Sequence, residues 1–432
     1  MNYLILGRNP ALSLAEIKTV YKELNIVIEK NVVLIDEDLD IKKSVARLGG
    51  VIKGGKIIGK LNNSDKETIK RRVIEYVSKL LEDGMLKKEK KIFFGFSIYS
   101  SKDKLDRSFT KKMAMELKKI LKEEGIASRW VVSKEDENLP SIVVGENKLF
   151  IENNGLELNI MEIDNELYLG ETIAVQDYMK YSRLDYGRPV RDARSGMLPV
   201  KLAKIMINLS GAKIGETLLD PFCGSGTILQ EAVLLGYKKI IGSDFSKVAM
   251  ENSEKNLKWL EEKYLKHIKN TNMSFEDGLD VKLVHVSAEK LSGAIKNETI
   301  GAIITEPYLG PPIRPGVPLD IQEVIKNLSR LYLKAFSQFK TILKNNGVIV
   351  MIWPIFKTEE GYKHIPIMEE IEEMGFKKVE LLTSSLMGFA EKEFGKSVIS
   401  KRKTIIYSRP DQYVRREIVK FFKHGKVIPK WH

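Results

Sequence analysis

The strongest structural signal in this chain is the stretch Leu218-Leu-Asp-Pro-Phe-Cys-Gly-Ser-Gly-Thr-Ile-Leu-Gln-Glu-Ala232. Its apolar beginning predicts a strand that ends at Asp220, Gly224 and Gly226 predict a tight turn, and an apolar helix follows. Glycine lets a ligand approach the backbone closely, and a helix N-terminus offers unpaired N–H groups. Leu229 stands where the nicotinamide fingerprint has its third glycine, and no Lys-Ser/Thr pair follows as in a phosphate loop. The stretch therefore indicates a ligand site of another kind.

Around this stretch, segments typical of strands alternate with segments typical of helices. Strands are predicted at residues 217–222, 239–245, 282–287, 300–306, 348–355, 376–382 and 403–408. This alternation predicts a mostly parallel sheet with helices on both faces. The last two strands lack a long helix between them, which predicts a terminal antiparallel hairpin. The predicted fold is α/β and Rossmann-like, with a seven-stranded sheet.

Three acidic residues follow the ends of the first three predicted strands. Asp220 lies at the edge of the glycine turn, where a carboxylate suits a ligand that carries an amine. Asp244 ends the next strand, where it can accept hydrogen bonds from both hydroxyls of a ribose. The third strand ends at Val286-Ser-Ala-Glu289, a candidate adenine edge. Amine, ribose and adenine together describe S-adenosylmethionine.

The fourth strand ends in Ile303-Ile-Thr-Glu-Pro-Tyr-Leu-Gly310. With the glycine turn and Asp244, this segment resembles the class I methyltransferases that act on exocyclic amines, whose corresponding motif is Asp/Asn-Pro-Pro-Tyr. Such an amine is a poor nucleophile, so an acceptor side chain and a backbone carbonyl take its hydrogens while the aromatic ring stacks on the base. Here Thr305 and Glu306 replace the first two residues of the motif. Either Glu306 takes over the acceptor role, or the activity is altered or lost.

The whole chain resembles the THUMP-domain RNA methyltransferases, in particular the archaeal and eukaryotic branch that forms N2-methylguanosine at position 10 of tRNA. The resemblance rests on Leu4-Ile-Leu-Gly-Arg-Asn-Pro10, Gly170-Glu-Thr-Ile-Ala-Val-Gln-Asp177, Asp185-Tyr-Gly-Arg-Pro-Val-Arg-Asp-Ala-Arg-Ser-Gly-Met-Leu-Pro199 and the glycine turn. It implies a ferredoxin-like domain at 1–75, a THUMP RNA-binding domain at 76–175, a linker at 176–196, a Rossmann-like methyltransferase domain at 197–410 and a basic C-terminal tail at 411–432.

The function expected from these observations is transfer of a methyl group from S-adenosylmethionine to a guanosine N2 amine of tRNA. The alternatives are another target, such as an rRNA guanine or an adenine N6, and an RNA-binding protein whose site has decayed. The resemblance implies tRNA as partner, and a small activating subunit as in eukaryotic relatives. The expected catalytic residues are Thr305, Glu306, Pro307 and Tyr308. The expected cofactor-binding residues are Met197, Pro199, Asp220, Phe222, Cys223, Gly224, Gly226, Thr227, Asp244, Phe245, Ala288 and Glu289.

Composition and charge agree with an RNA partner. The 432 residues include 71 Lys and Arg against 58 Asp and Glu, a net charge of +13. Residues 401–432 alone hold ten Lys and Arg and two acids, so they either form a phosphate-binding strip or a solvated tail. The single cysteine, Cys223, excludes an intrachain disulfide, and the five histidines show no metal-ligand spacing. No long apolar run suggests a membrane segment, so a cytoplasmic protein is expected.

Overall fold

The computed structural model describes residues 1–61, 65–100, 105–133, 138–191, 197–265, 279–313, 319–409 and 412–424. The chain divides into two compact units. The first contains Met1–Ser13 and Tyr21–Tyr178, and the second contains Leu14–Val20 and Met179–His432.

The first unit is built on one mixed sheet with helices. Its strands are β1 Asn2–Leu6, β2 Ile26–Glu29, β3 Val32–Ile35, β4 Val51–Leu61, β5 Ile92–Tyr99, β6 Ser128–Trp130, β7 Gly155–Ile163 and β8 Glu166–Val175. Its helices are α1 Pro10–Val20, which continues into the second unit, α2 Ile41–Arg47, α3 Lys66–Glu82, α4 Arg107–Glu123 and α5 Ser141–Glu146. The described strands are ordered β2-β3-β1-β4-β8-β7-β5-β6.

The predicted domain boundary between residues 75 and 76 is wrong. It falls inside α3, whose buried face includes Val73 and Val77 on either side of it. In addition, β4 pairs antiparallel with β8, so strands from both predicted domains belong to one sheet. The segment 141–145 belongs to helix α5, although its two adjacent valines are of a type that favours strands.

The second unit has the predicted alternation of strands and helices. Its helices are α6 Tyr178–Tyr186, α7 Val200–Ser210, α8 Thr227–Leu234, α9 Lys247–Leu260, α10 Ile321–Ile342, α11 Met368–Glu373 and α12 Ser384–Phe394. Its strands are β9 Thr217–Asp220, β10 Lys239–Asp244, β11 Asp280–His285, β12 Ile300–Thr305, β13 Leu343–Thr358, β14 Gly361–His364, β15 Phe376–Lys378, β16 Ile405–Tyr407 and β17 Val414–Lys423. The predicted linker at 176–196 contains α6, and its residues 192–196 lie outside the described part of the chain.

The strands of the second unit are ordered β11-β10-β9-β12-β13-β17-β15, with β14 beside β13 and β16 beside β17. The first five strands of this order run parallel, as predicted. Because β9, β10, β11 and β12 are parallel, their carboxyl ends lie at one edge of the sheet, where ligands of such folds bind. The α/β Rossmann-like class is therefore confirmed.

The predicted basic tail at 411–432 is wrong where the structure describes it. Val414–Lys423 forms β17, which pairs antiparallel with β13 over nine residues, from Val348 opposite Phe422 to Phe356 opposite Val414. Ile418, Val419 and Phe421 are completely buried. The two strands of the predicted terminal hairpin, β15 and β16, each pair antiparallel with β17 instead, and α12 lies between them in the chain. Residues 410–411 and 425–432 lie outside the described part.

An aromatic core supports this edge of the sheet from α10. Tyr332, Phe336, Trp353 and Phe421 are completely buried and stack or contact edge to face. Packing of this kind holds α10 against β13 and β17, and so fixes the elements that surround the carboxyl end of β12. In the described part of the chain, no helix combines the length and the apolar character that crossing a bilayer requires.

Candidate active site

The glycine turn between β9 and α8 has the conformation that its sequence predicts. Gly224 and Gly226 have φ values of 51° and 81°, a region that residues with a side chain rarely adopt. A Cβ on Gly226 would lie 3.0 Å from Ser253 Oγ, whereas a Cβ on Gly224 would meet nothing within 4 Å. The turn therefore packs tightly behind Gly226 and is open at Gly224, where a ligand can approach the backbone.

Two polar side chains of α9 hold the turn in place. Ser253 Oγ donates to the carbonyl of Gly224 at 2.8 Å, and Asn256 Nδ2 donates to that of Ser225 at 2.9 Å. Asn256 also exchanges two hydrogen bonds with the backbone of Val190, at 3.0 and 3.1 Å. Both side chains are completely buried. Neither residue was predicted to belong to the site, although their spacing of three residues on a helix next to the turn is a usable signal.

Asp220 is a buried carboxylate at the end of β9. It is 3% exposed, and its Oδ1 accepts from Thr305 Oγ1 at 2.7 Å and from the backbone N–H of Phe222 at 3.2 Å. Burial raises the pKa of Asp220 to about 7, and the bond from Thr305 opposes this rise. A ligand ammonium group would favour the charged form, so Asp220 suits the amine for which it was predicted.

Asp244 ends β10, the neighbour of β9. Its Oδ2 accepts from the backbone N–H of Gly224 at 3.0 Å, and its Oδ1 accepts from that of Ser246 at 2.9 Å. Each oxygen keeps a lone pair for a further donor, as two ribose hydroxyls require. The next residue, Phe245, has a side chain that is 74% exposed, a large apolar surface beside the carboxylate.

The predicted adenine edge follows β11, on the far side of β10. Ala288 is buried at the start of a short 3₁₀ helix. The carboxylate of Glu289 lies 3.0 Å from Nζ of Lys334 on α10, so its charge is already paired. The backbone N–H of Glu289 bonds to Ser287 Oγ at 3.3 Å. Glu289 therefore follows β11 as predicted, but its carboxylate is paired with Lys334.

Of the four predicted catalytic residues, Thr305 differs from the three that follow it. Thr305 is completely buried, and its hydroxyl is used to hold Asp220, so its side chain does not face a substrate. Glu306 Oε1 accepts from Arg416 Nε at 2.6 Å, and among the described residues no other group bonds to its carboxylate. Burial raises the pKa of Glu306, while the positive charge of Arg416 opposes this.

The aromatic residue of this segment faces outward. The Tyr308 side chain is 56% exposed, while Pro307 before it is buried. The hydroxyl of Tyr332 donates to the carbonyl of Tyr308 at 2.7 Å, which fixes the backbone at this point. Glu306, Pro307 and Tyr308 therefore follow directly after Thr305, which bonds to Asp220, and the segment ends in an exposed ring. Arg416 and Tyr332, which hold it, were not predicted.

Three more of the predicted cofactor residues, Met197, Pro199 and Thr227, lie at the beginnings of α7 and α8. Pro199 precedes the first residue of α7, whose N–H bonds to Asp185 Oδ1 at 3.1 Å. Met197 Sδ and Thr227 Oγ1 both contact the guanidinium of Arg188, at 3.3 and 2.7 Å.

Two predicted cofactor residues belong to the turn itself. Phe222 supplies the N–H that bonds to Asp220. Cys223 packs inward, 3.7 Å from Ser253 Oγ, and burial raises the pKa of its thiol. A buried thiol of this kind is not a nucleophile. In the part of the chain that the structure describes, no cluster of His, Cys, Asp and Glu could hold a metal ion.

Two family models match this chain. A model described as "RMKL-like, methyltransferase domain" matches residues 188–380, which include the glycine turn and the segment at Glu306. A second, described as "DNA methylase", matches residues 85–255. Among solved structures, TrmN from Thermus thermophilus has a TM-score of 0.52 and 14% identity, covering 98% of this chain and all of that one. That likeness concerns the fold, and the predicted methyltransferase class is confirmed by the first family model.

Curated relatives are archaeal proteins. The tRNA (guanine(10)-N2)-dimethyltransferase of Methanocaldococcus jannaschii is 25% identical over 74% of this chain and 81% of its own. That of Methanothermobacter thermautotrophicus is 29% identical over 37% of this chain, and the match spans only 39% of the relative. A protein of Methanothermococcus thermolithotrophicus, named "Probable tRNA (guanine(10)-N2)-dimethyltransferase", is 33% identical over 35% of this chain and 77% of its own. The chain therefore belongs to the family of tRNA methyltransferases that these archaeal proteins represent.

Proposed function

We propose that this protein transfers a methyl group from S-adenosylmethionine to the N2 amine of a guanosine in tRNA, at position 10. One observation carries the proposal: the turn with Asp220 and Asp244 and the segment Glu306-Pro-Tyr308 lie at the carboxyl ends of adjacent parallel strands. This arrangement brings a site for a methyl donor next to a site for a flat base. Family membership supports the same reaction.

The residues around the glycine turn fit S-adenosylmethionine. Asp220 accepts the amine of its methionine end, Asp244 accepts the ribose hydroxyls, and the open side of Gly224 admits the ligand to the backbone. Phe245 offers an exposed aromatic surface for the adenine. When bound, S-adenosylmethionine would supply a methyl group on a positively charged sulfur. The leaving group would be the neutral thioether.

Glu306 and Tyr308 fit a guanine. The free oxygen of the Glu306 carboxylate can accept the N1–H and N2–H hydrogens on one edge of the base, while the exposed ring of Tyr308 stacks on its face. Accepting an N2 hydrogen would increase the electron density on the amine nitrogen and so prepare this nitrogen to take the methyl group that the cofactor would supply. The proton that the nitrogen loses passes to the Glu306 carboxylate. Proximity would contribute the rest of the rate enhancement, since the methyl donor and the guanine would both be held at the ends of neighbouring strands.

The first unit is proposed to bind RNA. The resemblance to the THUMP-domain RNA methyltransferases supports this role, which we assign to the first unit as a whole because its strands form one sheet. Helix α4 supports an RNA contact, because Phe109, Met113, Leu117 and Leu121 bury one side. Five lysines of α4 are exposed: Lys111, Lys112, Lys118, Lys119 and Lys122. Such a row of cations suits a phosphate backbone. A small activating subunit would be a further partner of this family member.

The proposal is tested by incubating the protein with labelled S-adenosylmethionine and unmodified tRNA, followed by digestion and mass identification of the nucleoside. The expected product is N2-methylated guanosine. N6-methyladenosine or label in rRNA alone would redirect the substrate. No incorporation into any RNA, with cofactor binding retained, would favour a non-catalytic RNA-binding protein.

Two variants of Tyr308 test the base site. Tyr308→Ala removes the stacking ring, worth about 1–3 kcal/mol per base, so turnover is expected to fall roughly 5- to 160-fold while cofactor affinity is kept. Tyr308→Phe keeps the ring and should keep turnover. Equal loss of cofactor affinity and turnover in Tyr308→Ala would place the ring in the cofactor site.

A further inference from the structure

Arg188 is a buried cation that the proposed mechanism does not yet use. Its side chain is 3% exposed, and it lies in the segment before α7. Nη1 donates to Thr227 Oγ1 at 2.7 Å, and Nη2 contacts Met197 Sδ at 3.3 Å. Nε is buried without a hydrogen-bond partner among the described residues. The guanidinium is therefore fixed in position but only partly satisfied.

The charge of Arg188 is also not neutralised by an ion pair with a described carboxylate. Asp185 is the acidic group that acts on it, and this carboxylate bonds to the first N–H of α7. Burial lowers the pKa of Arg188, and the neighbouring charge of Arg191 lowers it further. Taking a charged group out of water without a close partner is unfavourable, so an anion that reaches this guanidinium would be bound favourably.

The surroundings of Arg188 indicate the ligand group. Its partner Thr227 is the first residue of α8, directly after the turn at Gly226, and α8 has its free N–H groups at the same end. Asp220, the acceptor for the ligand's amine, ends the strand that leads into this turn. A ligand held here by its amine and carrying a carboxylate would place that carboxylate near a cation and a helix N-terminus.

We propose that Arg188 binds the carboxylate at the methionine end of S-adenosylmethionine and so makes this site select an amino-acid end over an amine alone. The inference rests on the proposed function, because it assumes that cofactor. Asp220 and Arg188 then form a pair of opposite charges that matches the ammonium and the carboxylate of the ligand. A guanidinium suits this role because its several N–H groups keep donors for a carboxylate after bonding to Thr227.

The test compares two ligands by isothermal titration calorimetry on the full chain: S-adenosylhomocysteine, and its decarboxylated analogue, which keeps the amine. The wild type is expected to bind the first roughly 10- to 140-fold more tightly, the range for a hydrogen bond to a charged group. In Arg188→Gln this preference should disappear, through weaker binding of S-adenosylhomocysteine and unchanged binding of the analogue. Arg188→Lys keeps the charge and should keep part of the preference.

Arg183→Gln is the matched control, because Arg183 is exposed on α6 five residues before Arg188. It should bind both ligands as the wild type does. Thermal unfolding of each variant without ligand shows whether it is folded. Equal weakening of both ligands in folded Arg188→Gln, or a retained preference, would overturn the inference and leave Arg188 as a clamp between Thr227 and Met197. A wild type that binds neither ligand would instead refute the cofactor of the proposed function.

Discussion

The contact between Arg416 and Glu306 leads to a prediction about both stability and pH dependence. Arg416 lies on β17 and Glu306 follows β12, and their side chains are 10% and 12% exposed. Burial raises the pKa of Glu306 and Arg416 opposes the rise. In Arg416→Gln the pKa of Glu306 is therefore expected to rise further. Among the described residues, Asp220 on β9 and Tyr332 on α10 also interact electrostatically with Glu306.

The expected loss of stability in Arg416→Gln is about 3–5 kcal/mol, the cost of removing one partner of a buried ion pair. The raised pKa fixes the sign of the pH dependence. An acid whose pKa is higher in the folded state stabilises the fold at low pH, and this contribution is lost as pH rises through the folded pKa. The variant should therefore lose more stability at pH 8 than at pH 5. Chemical denaturation at several pH values measures this.

Methyl transfer should show the opposite trend. Only the ionised Glu306 accepts a hydrogen from the guanine, so activity of Arg416→Gln should be strongly reduced at pH 7 and partly recover at higher pH. Single-turnover assays at saturating S-adenosylmethionine measure this without interference from cofactor binding at Asp220. The double variant with Glu306→Gln should regain stability, since no charge stays buried, and remain inactive at every pH.

The control is Lys282→Gln, which removes an exposed ion pair to Asp280 at 3.1 Å and should cost at most about 1 kcal/mol. Wild-type stability together with an unchanged pH profile in Arg416→Gln would refute the argument. It would mean that Arg416 does not hold the Glu306 carboxylate in its charged form.

Three further predictions concern single residues of the second unit. Asp220→Asn should weaken S-adenosylhomocysteine binding more than 10-fold in calorimetry, yet stabilise the ligand-free protein above pH 7 by up to about 4 kcal/mol. This is the difference in the free energy of ionisation between a carboxyl with a pKa of about 7 and one with a pKa of about 3.9. The gain in stability should vanish at pH 4, and a gain that persists at pH 4 would contradict the prediction. Phe421→Ala on β17 should lower the free energy of unfolding in denaturant by about 3–5 kcal/mol. Tyr413 is 47% exposed, so Tyr413→Ala should lower it by at most about 0.5 kcal/mol. Equal effects of the two substitutions would indicate that this segment is a solvated tail. Gly226→Ala should lower the free energy of unfolding by about 1–2 kcal/mol because of its positive φ, and it should also weaken ligand binding. Gly215→Ala, where a Cβ meets nothing within 4 Å, should have neither effect.

Local patterns were sufficient for the part of the site that lies on consecutive elements. The strand, glycine turn and helix around Asp220 show in the apolar spacing and in the two glycines, whose φ values demand that residue type. Parallel strands end at one edge, so Asp244 and the segment at Glu306 could be placed beside the turn before any coordinates were known. Local residue preference is a weaker guide at residues 141–145, where two adjacent valines lie in a six-residue helix.

The C-terminal strand shows why composition misleads. Residues 401–432 have a strong positive charge, and charge-rich ends of chains are usually solvated. In the structure the charges of this region are used within the fold, since Arg416 pairs with Glu306 and Arg415 lies 4.2 Å from the ring centroid of Tyr362. Buried Ile418, Val419 and Phe421 alternate only imperfectly with polar residues, because the strand lies inside the sheet between two others.

The fold class, the glycine turn, the two carboxylates proposed for the cofactor and the segment proposed for the base are all visible in the amino-acid sequence. Each of these depends on residues within about ten positions of one another, where periodicity and turn chemistry act. The three-dimensional fold was needed to show that Thr305 holds Asp220, that Arg416 holds Glu306 and that Arg188 is buried against Thr227. These contacts join residues separated by 85, 110 and 39 positions, and their chemistry arises from burial, which no local pattern contains.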